Sequence, residues 1–168
     1  MTLPQIRVGQ GFDIHRFSDD PSRVLVLGGV TFPGERGLHG HSDADAVAHA
    51  VTDALLGAAG LGDIGQHFPD TDPQWRGAAS HQFVTHCLGL VRARGYVVGN
   101  ADLTLLAEAP RLKAYREAMQ QRVAELLEVP ADAVGLKATT TEQMGFTGRR
   151  EGLAAQAAVM LWPIATGP

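Results

Sequence analysis

The sequence predicts an α/β fold built on one mixed sheet of about four main strands, with helices on one face of the sheet. Segments with strand-like patterns alternate with segments of helical periodicity along the whole chain. The 168 residues contain no long linker, internal repeat or low-complexity run, so residues 1–168 are expected to form a single domain. The second sheet face has no predicted cover, which favours burial against further copies of the chain.

Extended segments come first in the chain. Residues 6–15 are predicted to form the first strand. Residues 23–32 are predicted to form one or two short strands, broken by Gly28 and Gly29, with a hairpin-like return.

A helix is predicted to follow. Ser42 is a natural N-cap residue, and Asp45, three residues later, is a weaker version of the capping-box acid. The helix is expected to run to about Leu56 and to end before Gly57. Its buried stripe follows helical spacing and comprises Val47, Val51, Ala54 and Leu55.

The loop of residues 61–77 is rich in glycine, proline and aspartate, and its length is typical of a functional loop. The Asp63 carboxylate is suited to accept hydrogen bonds from polyol hydroxyls, whereas turn formation at residues 70–73 is the simpler explanation of the composition. A second helix is predicted from Ser80 to about residue 94. Its apolar side comprises Phe83, Val84, Cys87, Leu88 and Val91.

The remaining chain predicts three strands and one helix. A strand is expected within residues 96–110, and Pro110 suits the first turn of the third helix. Residues 134–140 are the next strand. The alanine-rich segment 153–164 is the last, and its small residues permit close packing, including packing between subunits. The stripe of the third helix comprises Leu112, Tyr115, Met119, Val123 and Leu126.

Composition excludes several classes of function. The net charge of -4, without clusters of lysine and arginine, argues against a nucleic-acid polymer as partner. No segment has a membrane-spanning length, and the N-terminus lacks an apolar signal core, so a cytoplasmic location is expected. The single Cys87 lies on an apolar helix side and is expected to be a buried hydrophobic residue.

Three residues form a candidate metal site. Asp13 and His15 are two apart in the first strand, so their side chains share a face, and His49 lies on the side of the first helix away from its stripe. Three such ligands leave one coordination position of a zinc-like ion open. Asp45 and Asp53, four residues before and after His49, are expected to orient its ring. A solvated polar face is the alternative.

A second group of residues suits phosphate. Arg111 and Lys113 are expected at a helix N-terminus, where basic residues are unfavourable unless an anion is bound. Residues 139–141 are three threonines, followed by Glu142, and this set is suited to phosphate oxygens and a hard cation such as Mg²⁺ or Mn²⁺. A hydroxyl-rich strand edge would have the same sequence.

Several motifs together resemble the 2-C-methyl-D-erythritol 2,4-cyclodiphosphate synthase family of the non-mevalonate isoprenoid pathway. The motifs occur in the family's order and spacing: GFDIHRF (11–17), HSDADAVAHAVTDALLGAAGLGDIG (41–65), HFPDTDP (67–73), AEAPRLK (107–113) and KATTTEQMGFTGRREG (137–152). The resemblance extends from Ile6 to the final strand. It implies a homotrimer whose sheets face the threefold axis, with active sites between neighbouring subunits.

The resemblance also implies site residues. Asp13, His15 and His49 would bind one divalent transition metal, Zn²⁺, with the substrate diphosphate in the fourth position, and Glu142 would bind a second ion, Mg²⁺ or Mn²⁺, with the substrate phosphates. The cytidine diphosphate substrate would contact Asp13, Ile14, His15, His41, Ser42, Asp63, Ile64, Gly65, Phe68, Pro69, Asp70, Thr71, Asp72, Ala107, Glu108, Ala109, Pro110, Arg111, Leu112, Lys113, Thr139, Thr140, Thr141, Glu142, Phe146 and Arg149.

Within that set, the resemblance assigns different residues to different parts of the substrate. Asp63 and Gly65 would hold the erythritol hydroxyls, within a mobile loop around residues 68–72. Residues 107–113 of an adjoining subunit would hold the cytidine end, mostly by backbone contacts. Phe146 and Arg149 would lie near the axis, where a cavity would accept isoprenoid diphosphates.

The chain also departs from the family pattern in places. Arg111 replaces a frequent lysine and Lys113 an apolar residue, which bears on phosphate contacts there. His39 is an added histidine and is interpreted as a loop residue.

The implied reaction converts 4-diphosphocytidyl-2-C-methyl-D-erythritol 2-phosphate to 2-C-methyl-D-erythritol 2,4-cyclodiphosphate and CMP. The 2-phosphate is already an anion, so no strong general base is required. His41 and Thr140 are the candidate catalytic residues, as donors to the transition-state oxygens. A metal-dependent phosphohydrolase and a non-catalytic module with a structural metal are the alternatives.

Overall fold

A four-stranded mixed sheet organises the part of the chain that the computed structural model describes, residues 5–164. The strand order is β1-β6-β4-β5, with β6 antiparallel to both of its neighbours and β4 parallel to β5. The predicted α/β fold with a four-stranded mixed sheet is therefore confirmed. The strands are β1 (Arg7–Arg16), β4 (Tyr96–Leu106), β5 (Val134–Thr139) and β6 (Gly152–Pro163).

A two-stranded hairpin lies outside this sheet. It pairs β2 (Val24–Leu27) with β3 (Val30–Arg36) in antiparallel register. Gly28 and Gly29 connect the strands with φ values of 58° and 73°, a left-handed conformation that favours glycine. The predicted hairpin return is confirmed.

The helices pack on one face of the sheet, as predicted. On that face the paired strand residues Gly9, Val159, Ala101 and Val134 lie side by side and are buried. The long helices are α1 (Ala46–Ala59), α3 (His81–Ala93) and α4 (Arg116–Leu127), and the short ones are α2 (Ile64–His67) and α5 (Gly145–Gly148). Single 3₁₀ turns occupy Pro73–Trp75, Leu112–Tyr115 and Ala131–Ala133.

The start of α1 differs from the prediction, because Asp45 rather than Ser42 is its N-cap. The Asp45 carboxylate accepts from the backbone N–H groups of Val47 and Ala48 at 3.0 and 3.1 Å, and also from Gly28 and Gly29 at 2.8 and 2.7 Å. The four backbone hydrogen bonds to the buried Asp45 carboxylate stabilise this helix start more than a local N-cap at Ser42 would. The helix also continues beyond the predicted end, to Ala59.

The third long helix starts later than predicted. Pro110, joined to Ala109 by a cis peptide bond, precedes a 3₁₀ turn, and α4 begins only at Arg116. Three residues of the predicted buried stripe, Leu112, Met119 and Val123, are buried as expected. Arg111 and Lys113 therefore lie at the 3₁₀ turn, and the prediction that they stand at the N-terminus of the α-helix is wrong.

The second face of the sheet is apolar and open in the single chain. Val8 is 71% exposed and Phe12 51% exposed, and Ile14 and Trp162 are exposed beside them. These side chains alternate along the strands with those that face the helices. The predicted uncovered face is thus present.

Among residues 5–164, no helix combines the length and apolar character needed to cross a membrane. Cys87 is fully buried in α3, as predicted, and burial raises the pKa of its thiol to about 12.

Candidate functional site

Asp13, His15 and His49 converge where β1 passes under α1. Asp13 Oδ2 lies 2.9 Å from His15 Nε2 and 3.1 Å from His49 Nδ1, and the two histidine nitrogens are 3.1 Å apart. Neighbouring ligand atoms of a tetrahedral zinc ion, each about 2.1 Å from the metal, are separated by roughly 3.4 Å. The triad thus fits a divalent metal ion, and its three donor atoms lie within reach of one ion.

The approach of α1 to β1 follows from two glycines. A β-carbon on Gly9 would lie 2.0 Å from the carbonyl oxygen of Ala54, so no larger residue fits between strand and helix. Gly9, Gly11, Asp13 and His15 alternate along β1 and therefore share its helix-facing side. The glycines let α1 lie against the strand, and the two ligands that follow meet His49.

The hydrogen bonds of His15 determine which of its nitrogens carries the proton. Its Nδ1 lies 2.8 Å from the carbonyl oxygen of His39 and must donate to it, since a carbonyl cannot donate. The neutral ring then presents the Nε2 lone pair to Asp13 and His49. His39 contributes only its backbone at this position, and its side chain is exposed, which agrees with its interpretation as a loop residue.

Burial and the histidines act in opposite directions on Asp13. Burial alone would raise the pKa of its carboxyl, but the adjoining imidazole rings of His15 and His49 outweigh burial and hold that pKa well below its ordinary value. Conversely, burial would lower the pKa of His15, and the hydrogen bond and charge of Asp13 raise it. The site therefore favours the ionised form of the Asp13 carboxyl.

Asp45 and Asp53 do not orient His49, contrary to the prediction. The Asp45 carboxylate is taken up by backbone donors, as described above. The Asp53 carboxylate accepts from the backbone N–H of Ile64 at 2.7 Å and so anchors the start of α2. Burial raises the pKa of Asp53, and the nearby charges of Asp63 and Asp13 act in the same direction. The partners of His49 Nε2 are instead Ser42 and Ser80.

A cavity of about 450 Å³ opens beside the three converging donors. Nine of the predicted substrate-contact residues contribute to its wall together with His49, and sequence reasoning missed two aromatic residues there, Trp75 and Phe83. Phe68 stacks on Phe83 with ring centroids 4.4 Å apart, so α3 supports the loop wall. The full lining is Asp13, His15, His41, Ser42, His49, Ile64, Gly65, Phe68, Pro69, Asp70, Trp75 and Phe83.

Of the substrate-contact residues predicted within residues 13–72, four do not line this cavity. Ile14 points to the open sheet face, because its neighbours Asp13 and His15 point to the helix side. Asp63 caps α2 by accepting from the N–H of Gln66 at 3.0 Å, and Asp72 caps the 3₁₀ turn at Pro73–Trp75. Thr71 lies beside Asp72 on the exposed part of the loop.

A second cavity, of about 660 Å³, shares no lining residue with the first. It brings together the predicted 107–113 segment and the threonine-rich end of β5, although these are far apart in the sequence. Arg116, which was not predicted, adds a third basic side chain. The lining is Ala107, Glu108, Pro110, Arg111, Leu112, Lys113, Arg116, Leu136, Ala138, Thr139 and Thr140.

The Glu108 side chain connects the two segments of this second cavity. Its Oε1 accepts from the backbone N–H groups of Thr141 and Gln143 at 3.2 and 3.0 Å. Glu142 lies in the same turn, is exposed, and accepts from the Thr140 hydroxyl at 3.1 Å. Glu108 therefore shapes the turn that carries Thr140 and Glu142, a role that sequence reasoning did not assign.

The predicted axial residues lie outside both cavities. Phe146 is half-buried in α5. Arg149 is exposed and forms an ion pair with Glu151 at 2.7 Å, which raises the pKa of the Arg149 guanidinium. The described chain therefore contains the triad and two cavities that share no lining residue. Phe146 and Arg149 line neither cavity.

The profile of the YgbB family matches residues 6–162. The chain belongs to the YgbB family. It is 54% identical over 158 residues to the 2-C-methyl-D-erythritol 2,4-cyclodiphosphate synthase of Pseudomonas putida (strain W619), covering 94% of the chain and 99% of that relative. The resemblance inferred from the sequence motifs is confirmed.

Two further proteins are similar to the chain, one compared in sequence and one in structure. The chain is 58% identical over 156 residues to the bifunctional enzyme IspD/IspF of Erythrobacter litoralis, covering 93% of the chain and 40% of that relative. The chain thus spans less than half the length of such bifunctional relatives. A structure of IspF from Plasmodium falciparum in complex with CDP superposes with a TM-score of 0.84 at 29% identity, covering 98% of the chain and 100% of that structure.

Proposed function

We propose that this YgbB family chain, acting as one domain, is a cyclodiphosphate synthase. It converts 4-diphosphocytidyl-2-C-methyl-D-erythritol 2-phosphate to 2-C-methyl-D-erythritol 2,4-cyclodiphosphate and CMP. The observation that carries the proposal is the triad of Asp13, His15 and His49 at the wall of an open cavity, in a chain similar along nearly its full length to a synthase of that name. Three ligands beside a cavity leave room for a substrate oxygen.

Zn²⁺ suits the triad, because two imidazoles and one carboxylate are its usual ligands in open sites. When bound, the ion supplies positive charge to the diphosphate oxygens of the substrate. Glu142 is the proposed ligand of a second ion, Mg²⁺ or Mn²⁺, since it is exposed and lies beside the threonine hydroxyls.

The protein's own groups fold the substrate back on itself. The 2-phosphate oxygen attacks the β-phosphorus, and the bond to the oxygen bridging the α- and β-phosphorus breaks, so that CMP leaves with its electron pair. His41 and Ser42 line the cavity beside the triad and would donate to the phosphoryl oxygens that gain charge. Thr140 would donate from the second cavity, with Thr139 and Thr141 beside it. Since the nucleophile is already an anion, no strong general base is required, and these donors would act together with substrate positioning and the charge of the bound cations.

The remaining contacts divide between the two cavities. Ile64, Gly65, Phe68, Pro69 and Asp70 would surround the erythritol part, and Asp63 would hold its hydroxyls from the α2 cap position. The cavity around residues 107–113 would hold the cytidine part. The CDP named in the Plasmodium falciparum complex supports a cytidine nucleotide as ligand.

We also propose a homotrimer, in which the cytidine cavity of one subunit completes the triad cavity of the next. Two observations support it: the cavities share no residue, and the sheet face that carries Val8 and Phe12 is open. Burying that face would cover large apolar side chains, each worth about 1.5–3 kcal/mol. Phe146 and Arg149 would then lie near the axis and contact an isoprenoid diphosphate. A monomer by size exclusion with light scattering would contradict the trimer.

Turnover of the diphosphocytidyl substrate, followed by phosphorus NMR, tests the function. We expect CMP and one cyclic diphosphate, formed in the presence of Zn²⁺ and Mg²⁺ and abolished by a chelator. Linear phosphates without a ring would instead identify a metal-dependent phosphohydrolase. No turnover, together with loss of folding in the chelator, would indicate a structural metal.

A further inference from the structure

His49 has a second hydrogen-bonding side that faces away from the triad. Its Nε2 lies 2.9 Å from the hydroxyl of Ser80 and 3.1 Å from that of Ser42. Ser80 is fully buried, and it lies 31 residues from His49 in the sequence. The contact therefore depends on the packing of α3 against α1.

Asp43 lies behind Ser80. The Ser80 hydroxyl is hydrogen-bonded to Asp43 Oδ1, and the backbone N–H of Ser80 donates to Asp43 Oδ2 at 3.1 Å. The backbone N–H of Asp45 also donates to Oδ1, at 3.2 Å. An ionised carboxylate can only accept hydrogen bonds. The Ser80 hydroxyl therefore donates its single proton to Asp43.

The direction of these bonds determines the proton position on His49. Because Ser80 has donated its only proton to Asp43, its oxygen can only accept from His49, so Nε2 carries the ring proton. A neutral imidazole has one N–H, and Nδ1 is then a lone pair directed at Asp13 and His15. This is the tautomer in which Nδ1 binds a cation.

Ser80 shows independently that its hydroxyl serves this network. It occupies the N-cap position of α3, a 13-residue helix, yet its side chain makes no capping hydrogen bond. Serine at that position ordinarily accepts from an N–H of the first turn. The hydroxyl is instead committed to His49 and Asp43.

We propose that Asp43 and Ser80 are positioning residues for the metal triad, which hold His49 with its proton on Nε2 and Nδ1 free for the ion. The inference rests on the proposed function only in taking Asp13, His15 and His49 as a metal site, and it is independent of the reaction. The Ser80 hydroxyl is polarised by the negative charge of Asp43. Its hydrogen bond to His49 therefore also makes Nδ1 of that ring a stronger metal ligand.

The first test reads the tautomer directly in the metal-free protein. Long-range ¹H–¹⁵N spectra distinguish protonated from bare ring nitrogens, and a His49→Gln variant assigns the His49 signals. We expect the Nε2–H form in the wild type and a mixture of both forms in the Ser80→Ala variant. A wild-type ring with its proton on Nδ1 would overturn the proposal, whatever the outcome of the turnover assay.

The second test measures Zn²⁺ affinity of the full chain by competition with a chromophoric chelator. Loss of a hydrogen-bond partner of a metal ligand costs about 10–100-fold in affinity, and we expect this for Ser80→Ala and Asp43→Asn. Ser80→Thr keeps the hydroxyl and should restore most of the affinity. Thr52→Ala is the matched control, because it removes a buried hydroxyl of α1 whose hydrogen bond, within residues 5–164, is to the Ala48 carbonyl alone.

The two tests separate a positioning role from general destabilisation. Urea unfolding of the metal-free variants gives their stability, and Thr52→Ala should lose stability without losing Zn²⁺ affinity. If Ser80→Ala binds Zn²⁺ as tightly as the wild type, the positioning role is refuted. Weakened Zn²⁺ binding in a chain that makes no cyclic product would refute the proposed reaction and keep the positioning role.

Discussion

Gly11 and Ala50 are in such close contact that a β-carbon on Gly11 would fall 1.9 Å from the carbonyl oxygen of Ala50. The obstacle is backbone, which cannot rotate away as a side chain can. His49 precedes Ala50, and Asp13 follows Gly11 by two residues. The close approach of strand and helix therefore brings the triad together.

Gly11→Ala is expected to destabilise the fold strongly. Overpacking a well-packed core costs about 1–3 kcal/mol, and a backbone clash lies at the upper end of that range. Urea unfolding measures the loss, and Zn²⁺ affinity should fall with it because α1 must move away from β1.

Gly89→Ala is the matched control. Gly89 is exposed within α3, and a β-carbon there meets no atom within 4 Å. Because alanine favours a helix interior, this change should stabilise the protein by about 0.5–1 kcal/mol. Equal stability of the two variants would contradict the close-contact argument.

The buried Cys87 leads to a prediction about alkaline pH. Burial raises the pKa of its thiol from its ordinary value of 9.0 to about 12. Between these values the unfolded chain loses the thiol proton and the folded chain retains it, so stability falls as pH rises, by about 1.4 kcal/mol per pH unit. Urea unfolding at pH 9, 10 and 11 should show this added slope in the wild type and not in Cys87→Ala.

The same thiol should be unreactive in the native protein. At pH 8 it is protonated and buried, and only the thiolate reacts with iodoacetamide. Mass spectrometry should find one added group only after denaturation. If iodoacetamide labelled the folded protein as fast as the denatured protein, the burial of the thiol would be contradicted.

The triad could be predicted because its signal is local. Asp13 and His15 share a strand face by alternation, and only the helical partner His49 required an inference about tertiary contact. The hydrogen-bond partners of His49 could not be predicted in the same way. Ser80 has the sequence of a helix cap, and its actual partner Asp43 lies 37 residues away.

The errors in element boundaries have a similar origin. Ser42 satisfies the local rule for an N-cap, but Asp45 is selected by the hairpin glycines, which donate to it from outside the helix. The late start of α4 follows the 3₁₀ turn at Leu112–Tyr115, which apolar spacing alone does not distinguish from the first turn of an α-helix. A tertiary contact thus decided the first boundary, and a local 3₁₀ turn the second.

Glu108 is expected to support nucleotide binding through the turn that it holds. Glu108→Ala leaves the N–H groups of Thr141 and Gln143 without their acceptor, and losing about 1.4 kcal/mol would weaken CDP binding tenfold. Glu108→Gln keeps the Oε1 acceptor and should bind CDP almost as the wild type does. Calorimetric titration with CDP measures both, and similar affinities of Glu108→Ala and Glu108→Gln would refute this role.

His41 and His49 should respond differently to substitution, although both line the same cavity. His49 contributes a donor atom to the triad and His41 does not. Saturating Zn²⁺ at 100 times its dissociation constant should stabilise the wild type by about 2.7 kcal/mol, and His49→Ala should lose this gain. His41→Ala should retain the gain, while kcat falls by about 10²–10³-fold through loss of a transition-state donor. Thermal unfolding with and without Zn²⁺, combined with turnover, distinguishes the two roles. If Zn²⁺ stabilised His49→Ala as much as the wild type, the ion would not bind at the triad. Full turnover by His41→Ala would show that His41 does not act in the reaction.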